Sequence, residues 1–178
     1  MAKATVKKAA KKAAPKKAIT TTKKSAATAP KKAVKTKLKA GKPLLKYEDK
    51  SKGQPKELQD IFESIKKMLL PYAKGNMQVH GGDGGQITVI SHKPVTIMGK
   101  ERPEMWFAAA LIQKGYVGFY FTPAYADESV RKQIHPELLS CLKGKSCFHI
   151  KKDDTVIYKQ IKEALKLGFD TYTKKGWI

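Results

Sequence analysis

Acidic residues are missing from the first quarter of this chain. Residues 1–46 hold sixteen lysines and no Asp or Glu, a local charge of +16. Such a segment cannot neutralise its own charge, and little in it can form a core, so it is expected to be disordered. Cysteine is scarce as well. Cys141 and Cys147 are the only two, and no paired CxxC occurs. A zinc ribbon and a disulfide framework are therefore not indicated, and a reducing compartment is the default. No apolar run approaches the length of a membrane span. The basic N-terminus lacks the apolar stretch of a secretory signal, and it lacks the arginines of an organelle transit peptide. With no lipidation motif or amphipathic anchor either, a membrane partner is not expected. These absences together suggest a cytoplasmic protein.

What is present is lysine in doublets. Lys7 and Lys8, Lys11 and Lys12, Lys16 and Lys17, Lys23 and Lys24, and Lys31 and Lys32 recur among alanine, threonine and the prolines Pro15 and Pro30. The runs KKAAKKAAPKKA and ATAPKK resemble the Lys/Ala/Pro tails of linker histones and of bacterial histone-like proteins. That likeness is one of composition. A mobile polycation neutralises phosphates and releases condensed counterions, so it binds nucleic acid without reading sequence. These ten lysines are the expected nucleic-acid contacts, and DNA is the expected polymer. In a bacterium the protein would sit on the nucleoid.

The rest of the chain has different physics. Residues 47–178 hold 21 basic and all 15 acidic residues, a net of +6. The expected division is a tail and linker over residues 1–54 and a folded domain over 55–178. Residues 56–70 read as a helix, with Leu58, Ile61, Phe62, Ile65 and Leu69 forming one stripe between Pro55 and Pro71. A short strand is expected over 74–80, then a glycine turn at 80–85 that lacks the lysine and the helix of a phosphate-binding loop. Strands are expected over 86–91 and 94–98. Residues 105–112 and 116–122 form the centre of the sheet, a hairpin joined by Gln113-Lys114-Gly115. That three-residue loop places Phe107 opposite Phe121, Ala109 opposite Phe119 and Leu111 opposite Val117 on one face. The other face then carries Trp106, Ala108, Ala110 and Ile112 beside Tyr116, Gly118 and Tyr120. A broken helix over 127–142, interrupted at Pro136 and ended by Gly144, leads to a strand over 146–151. Asp153 or Asp154 caps a last helix, which Gly168 is expected to close.

Helix, antiparallel strands, broken helix, strand and helix describe an α+β fold: an antiparallel sheet packed on one face by N- and C-terminal helices. The stretch Gly144-Lys145-Ser146-Cys147-Phe148-His149-Ile150-Lys151, with an acidic cap and an amphipathic helix after it, resembles the closing motif of the YdhG-like domains. Val117-Gly118-Phe119-Tyr120-Phe121 looks like their central strand, and Met68-Leu69-Leu70-Pro71 like the end of their first helix. The resemblance implies a frataxin-like sandwich, and some relatives are described as intracellular iron chaperones. An iron site of that type implies an acidic ridge on the first helix. Here only Glu57, Asp60 and Glu63 are available, diluted by Lys56, Lys66 and Lys67. Iron or small-ligand carriage is thus the alternative to nucleic-acid association.

No Ser-His-Asp pattern, nucleophile elbow or close acid pair is present, and a non-catalytic protein is expected, with no cofactor. His80 and Asp83, in the glycine turn, are expected neither to ligate a metal nor to do acid–base work. Cys141, among leucines, reads as a core thiol. Cys147 and His149 alternate along one strand, but two ligands do not make a metal site. Alternation places Trp106, Tyr116, Tyr120, Cys147 and His149 on the sheet face away from the helices, with Thr96 and Met98 if the edge strands are in register. Left uncovered, that face would be a ligand, partner or homo-oligomer surface. The chain ends or the broken helix could equally cover it.

Overall fold

The computed structural model describes residues 48–97 and 99–178. The expected disordered tail, with its ten paired lysines, lies outside the described residues, as does Met98. Helix α1, Lys56–Leu69, follows Pro55 and buries Leu58, Ile61, Phe62, Ile65, Met68 and Leu69. These fall at helical spacing on one side, which is why the segment packs as a helix. A 3₁₀ turn, Leu70–Tyr72, carries Pro71 and ends it. The residues before Pro55 are not free of the fold: the Lys50 amide donates to the Gly84 carbonyl in the glycine turn at 2.6 Å.

Six strands form one antiparallel sheet: β1 (Met77–Gly81), β2 (Gln86–Ser91), β5 (Met105–Gln113), β6 (Tyr116–Phe121), β7 (Leu142–Lys143) and β8 (Cys147–Ile150). Their spatial order is β1-β2-β5-β6-β8-β7. Among the described residues, strands β3 (Val95–Ile97) and β4 (Lys100–Arg102) pair only with each other. The expected strand over 94–98 is thus no edge of the main sheet, because β2 pairs directly with β5. Thr96, exposed on the side hairpin, does not join the sheet face.

The central hairpin forms, but in another register. Gln113 pairs with Tyr116, so the loop is Lys114-Gly115, with Gly115 at φ +84°. Ala108, Ala110 and Ile112 therefore lie opposite Phe121, Phe119 and Val117. The expected pairing was one residue out, and a shift of one flips every side chain between faces. A bulge restores the phase further along. Val89 pairs with Ala108 but Ile90 pairs with Trp106, so Phe107 is an extra residue on β5. Phe107 is fully buried in the core, while Trp106 stays on the outer face at 37% exposure.

The remaining helices are α2 (Pro123–Ala126), α3 (Glu128–Lys132), α4 (Pro136–Ser140) and α5 (Thr155–Lys174). Pro136 opens α4 rather than merely interrupting a longer helix. Gly144 follows the short strand β7, so it ends no helix. Asp154 caps α5, accepting from the amides of Val156 and Ile157. Gly168 does not close α5 but lies inside it. A Cβ there would come within 2.5 Å of Phe121 Cζ and 2.8 Å of Pro123 Cγ, so glycine lets the helix approach the sheet. Helices α1 and α5 pack on one face of β5, and α2, α3 and α4 pack against α5 on that side. One core joins Ile61, Phe107, Phe119, Phe121, Ile161 and Leu165. The fold is α+β, an antiparallel sheet with helices on one face.

The far end of α5 is tied to α3 by a charge. Asp127 accepts from the Ser129 amide at the start of α3 and lies 2.7 Å from Lys175 Nζ. The Lys175 hydrogen bond, then that of Ser129, holds its carboxyl down to about 2. A carboxylate with a lowered folded-state pKa stabilises above its unfolded value and loses that contribution as pH falls through the folded one. Asp127→Ala should therefore cost about 1–2 kcal/mol at pH 7, allowing for solvent screening and the lost cap. The gap between variant and parent should narrow between about pH 4 and pH 2, read by urea unfolding at each pH. A gap that does not change with pH would leave only the neutral part of the interaction.

Candidate functional site

Residues paired across an antiparallel ladder share a face. The sheet face away from the helices can therefore be read row by row. One row runs His80, Thr88, Ala109, Tyr120, Cys147 and Lys143. The next runs Gln86, Leu111, Gly118 and His149, and beyond it Gln113 pairs with Tyr116. Thr88, Ile90 and Ala109 are buried on this side too, so the accessible part is the β6–β8 end.

Tyr116, Tyr120, Cys147 and His149 come together there, all half-buried. The Tyr116 and His149 rings stack at 3.8 Å between centroids and 13° between planes. Tyr120 leans across Gly118, where an added Cβ would meet its Cε2 at 2.9 Å. Only glycine leaves room for the ring to take that position. Trp106 does not join this cluster. Its Nε1 donates to Glu104 Oε1 at 3.4 Å, and it lines a separate cavity of about 480 Å³ with Trp177, Tyr125, Ile97 and Arg102.

Burial pushes the Tyr120 hydroxyl up to about 12, helped by its contact with Cys147. Burial also raises the Cys147 thiol, so at neutral pH it is not the thiolate a nucleophile requires. The His149 proton is disfavoured, first by burial and then by Lys143 and Lys151. Its ring is therefore a neutral imidazole at pH 7, with two cations beside it. Among the described residues, no Asp or Glu falls in any of the six strands of this sheet. The site is aromatic and cationic at its rim; Glu137 and Asp154 line the hollow beside Lys143, His149 and Lys151, and there Glu137 accepts from Gln160 and Asp154 from the first amides of α5. Lys143 and Lys151, which complete it, were not singled out in the sequence. The clue was there, since both flank the Cys147–His149 alternation.

The other candidates stand apart. His80 lies in β1 rather than in the turn, and its Nε2 is 2.9 Å from Nε2 of His92, so one ring donates and the other accepts. Asp83 is fully exposed, 3.9 Å from Lys66. Cys141 is half-buried against the core, with its Sγ 3.7 Å from the Glu137 carbonyl. On α1, Asp60 holds Lys56 at 3.2 Å and Glu63 holds Lys66 at 3.2 Å, so these carboxylates already face cations. Among the described residues, no three His, Cys, Asp or Glu side chains gather closely enough to hold a metal ion. Among those residues too, no helix is long and apolar enough to cross a membrane. Compared with family models, with curated proteins and with solved structures, the chain gave no match.

Proposed function

We propose that this chain is a non-catalytic, nucleic-acid-associated protein that holds phosphate backbones through its N-terminal lysines, and that its domain is of the YdhG-like, frataxin-like type. The observation that carries the first part is the charge distribution: sixteen lysines and no carboxylate in residues 1–46, against a net of only +6 in the other 132. Lysines with no carboxylate in their own segment can replace the counterions of a phosphate backbone, and the binding energy comes from that release. DNA is the polymer proposed, in the cytoplasm and on the nucleoid of a bacterial source. The type of domain is supported by its order of elements, a helix, an antiparallel sheet and a closing helix over the same face.

Backbone contacts position a protein without reading bases. Changing Lys16 and Lys17 together to alanine should therefore weaken binding to unrelated duplexes by the same factor. It should also reduce the salt slope by about 1, because with half of the sixteen lysines engaged at once the two replaced carry on average one phosphate contact. Fluorescence anisotropy on two duplexes of different sequence reads both quantities. A strong preference for one duplex would place recognition in a base-reading element and contradict the proposal.

A further inference from the structure

We infer that the β6–β8 end of the open sheet face is a stacking platform for single-stranded nucleic acid. This rests on the nucleic-acid reading above and gives the folded domain a part in it. Tyr116 and His149 already form a parallel ring pair at 3.8 Å. The planar faces of bases stack on such rings whatever their sequence. Tyr120, leaning over Gly118, adds a second aromatic surface, one row from His149 and two from Tyr116. Tyr116 and Tyr120 lie four residues apart on the same face of β6 with only Gly118 between them on that face, so the rings form one patch.

The charge around the patch selects the occupant. Lys143 shares the face through its pairing with Cys147, Lys151 follows β8, and Lys114 sits in the turn beside Tyr116. Burial first, and then Lys143 and Lys151, disfavour the His149 proton. No strand of the six-stranded sheet supplies an acidic residue among those described. Glu137 and Asp154 line the hollow beside Lys143, Lys151 and Lys152, so with Lys114 the cations outnumber the carboxylates around the rings. Aromatic faces flanked by an excess of cations match a strand whose bases and phosphates alternate. A second copy of the chain fits less well, since a two-fold contact would bring the same lysines against each other. A duplex fits less well too, because its bases already stack on one another inside the helix.

The test uses the full chain, with a fluorescein-labelled dT15 strand and a labelled 15-base-pair duplex, from low salt to about 0.5 M. Phosphate binding fades over that range for both ligands, whereas stacking persists. The expected result is salt-resistant binding of dT15 alone. Tyr116→Ala and Tyr120→Ala should each weaken it by about five- to a hundredfold. Tyr116→Phe should keep it, and so should Tyr125→Ala, an exposed tyrosine on α2 outside the patch. Circular dichroism and thermal unfolding of each variant confirm that the fold is intact.

Binding of both ligands at low salt, with no strand-selective remainder at high salt, overturns the platform and leaves the tail reading standing. No binding to either ligand at low salt overturns both. A remainder that survives Tyr116→Ala and Tyr120→Ala overturns the platform by placing the contact elsewhere. A dimer that dissociates on Tyr116→Ala also overturns it, by giving the face to a second copy.

Discussion

Phe107→Ala should destabilise the domain by about 3–5 kcal/mol, the largest effect of any single side chain considered. Phe107 is fully buried and is the centre of an aromatic cluster. Tyr72 lies 5.4 Å away, Tyr172 5.8 Å, Phe121 6.1 Å and Phe169 6.2 Å, between ring centroids. Truncation removes the transfer energy of the ring and leaves a cavity under the sheet that α5 and the 3₁₀ turn cannot readily fill. Against a typical total stability of about 5–15 kcal/mol this is a large fraction, and the midpoint should fall by on the order of 10 °C or more. The neighbouring change Trp106→Ala should cost much less, because that ring is 37% exposed on the outer face. The contrast tests the bulge directly. Without the extra residue on β5, Phe107 would share the outer face and its loss would cost little. Urea unfolding of both variants decides it, and similar small losses would contradict the bulged register.

Much of this architecture was legible in the sequence, and the misreadings share a cause. Helix α1 was legible because five large apolar residues fall on one stripe and prolines bound it. The hairpin was legible as a hairpin, but its register was not. Ala108-Ala109-Ala110 looks the same from either face, so alternation carries no phase there. The phase is set instead by a two-residue turn and by the Phe107 bulge, and both arise from pairing with distant strands. Gly168 was misread because a helix-ending glycine and a close-packing glycine look alike until Phe121 is placed against it. Strand β7 is two residues long, too short for a periodic signal.

The candidate site divides in the same way. Tyr116, Tyr120, Cys147 and His149 were legible from period-two alternation. Trp106 was placed correctly on the outer face, but it lies at the other end of β5, past the bulge and opposite Ile90, away from the cluster. The contact between His80 and His92 depends on the pairing of β1 with β2, which no local pattern announces.

Removing residues 1–46 should lower affinity for duplex DNA by about a thousandfold or more at roughly 50 mM salt. The fold should survive, because the core is drawn from Leu58 to Tyr172 and the hydrogen bond of Lys50 with Gly84 is kept. The loss should be large because the deletion takes away a charge of +16, while the remaining +6 is spread among fifteen carboxylates. Several of those carboxylates already face lysines, as at Asp60, Glu63, Glu128 and Asp170. The domain's excess of +6 is therefore a weaker draw on a duplex than the +16 that the deletion removes.

The salt dependence of duplex binding bears most directly on the claim that the tail holds phosphates. Each phosphate neutralised on B-DNA contributes close to one unit to the slope of log affinity against log salt. With half of the sixteen lysines engaged, the slope for the full chain should be about −7. Anisotropy across a salt series should return that value for the full chain and a much flatter line once residues 1–46 are removed. Equal slopes and equal affinities for the two proteins would move the binding surface into the domain and contradict the account.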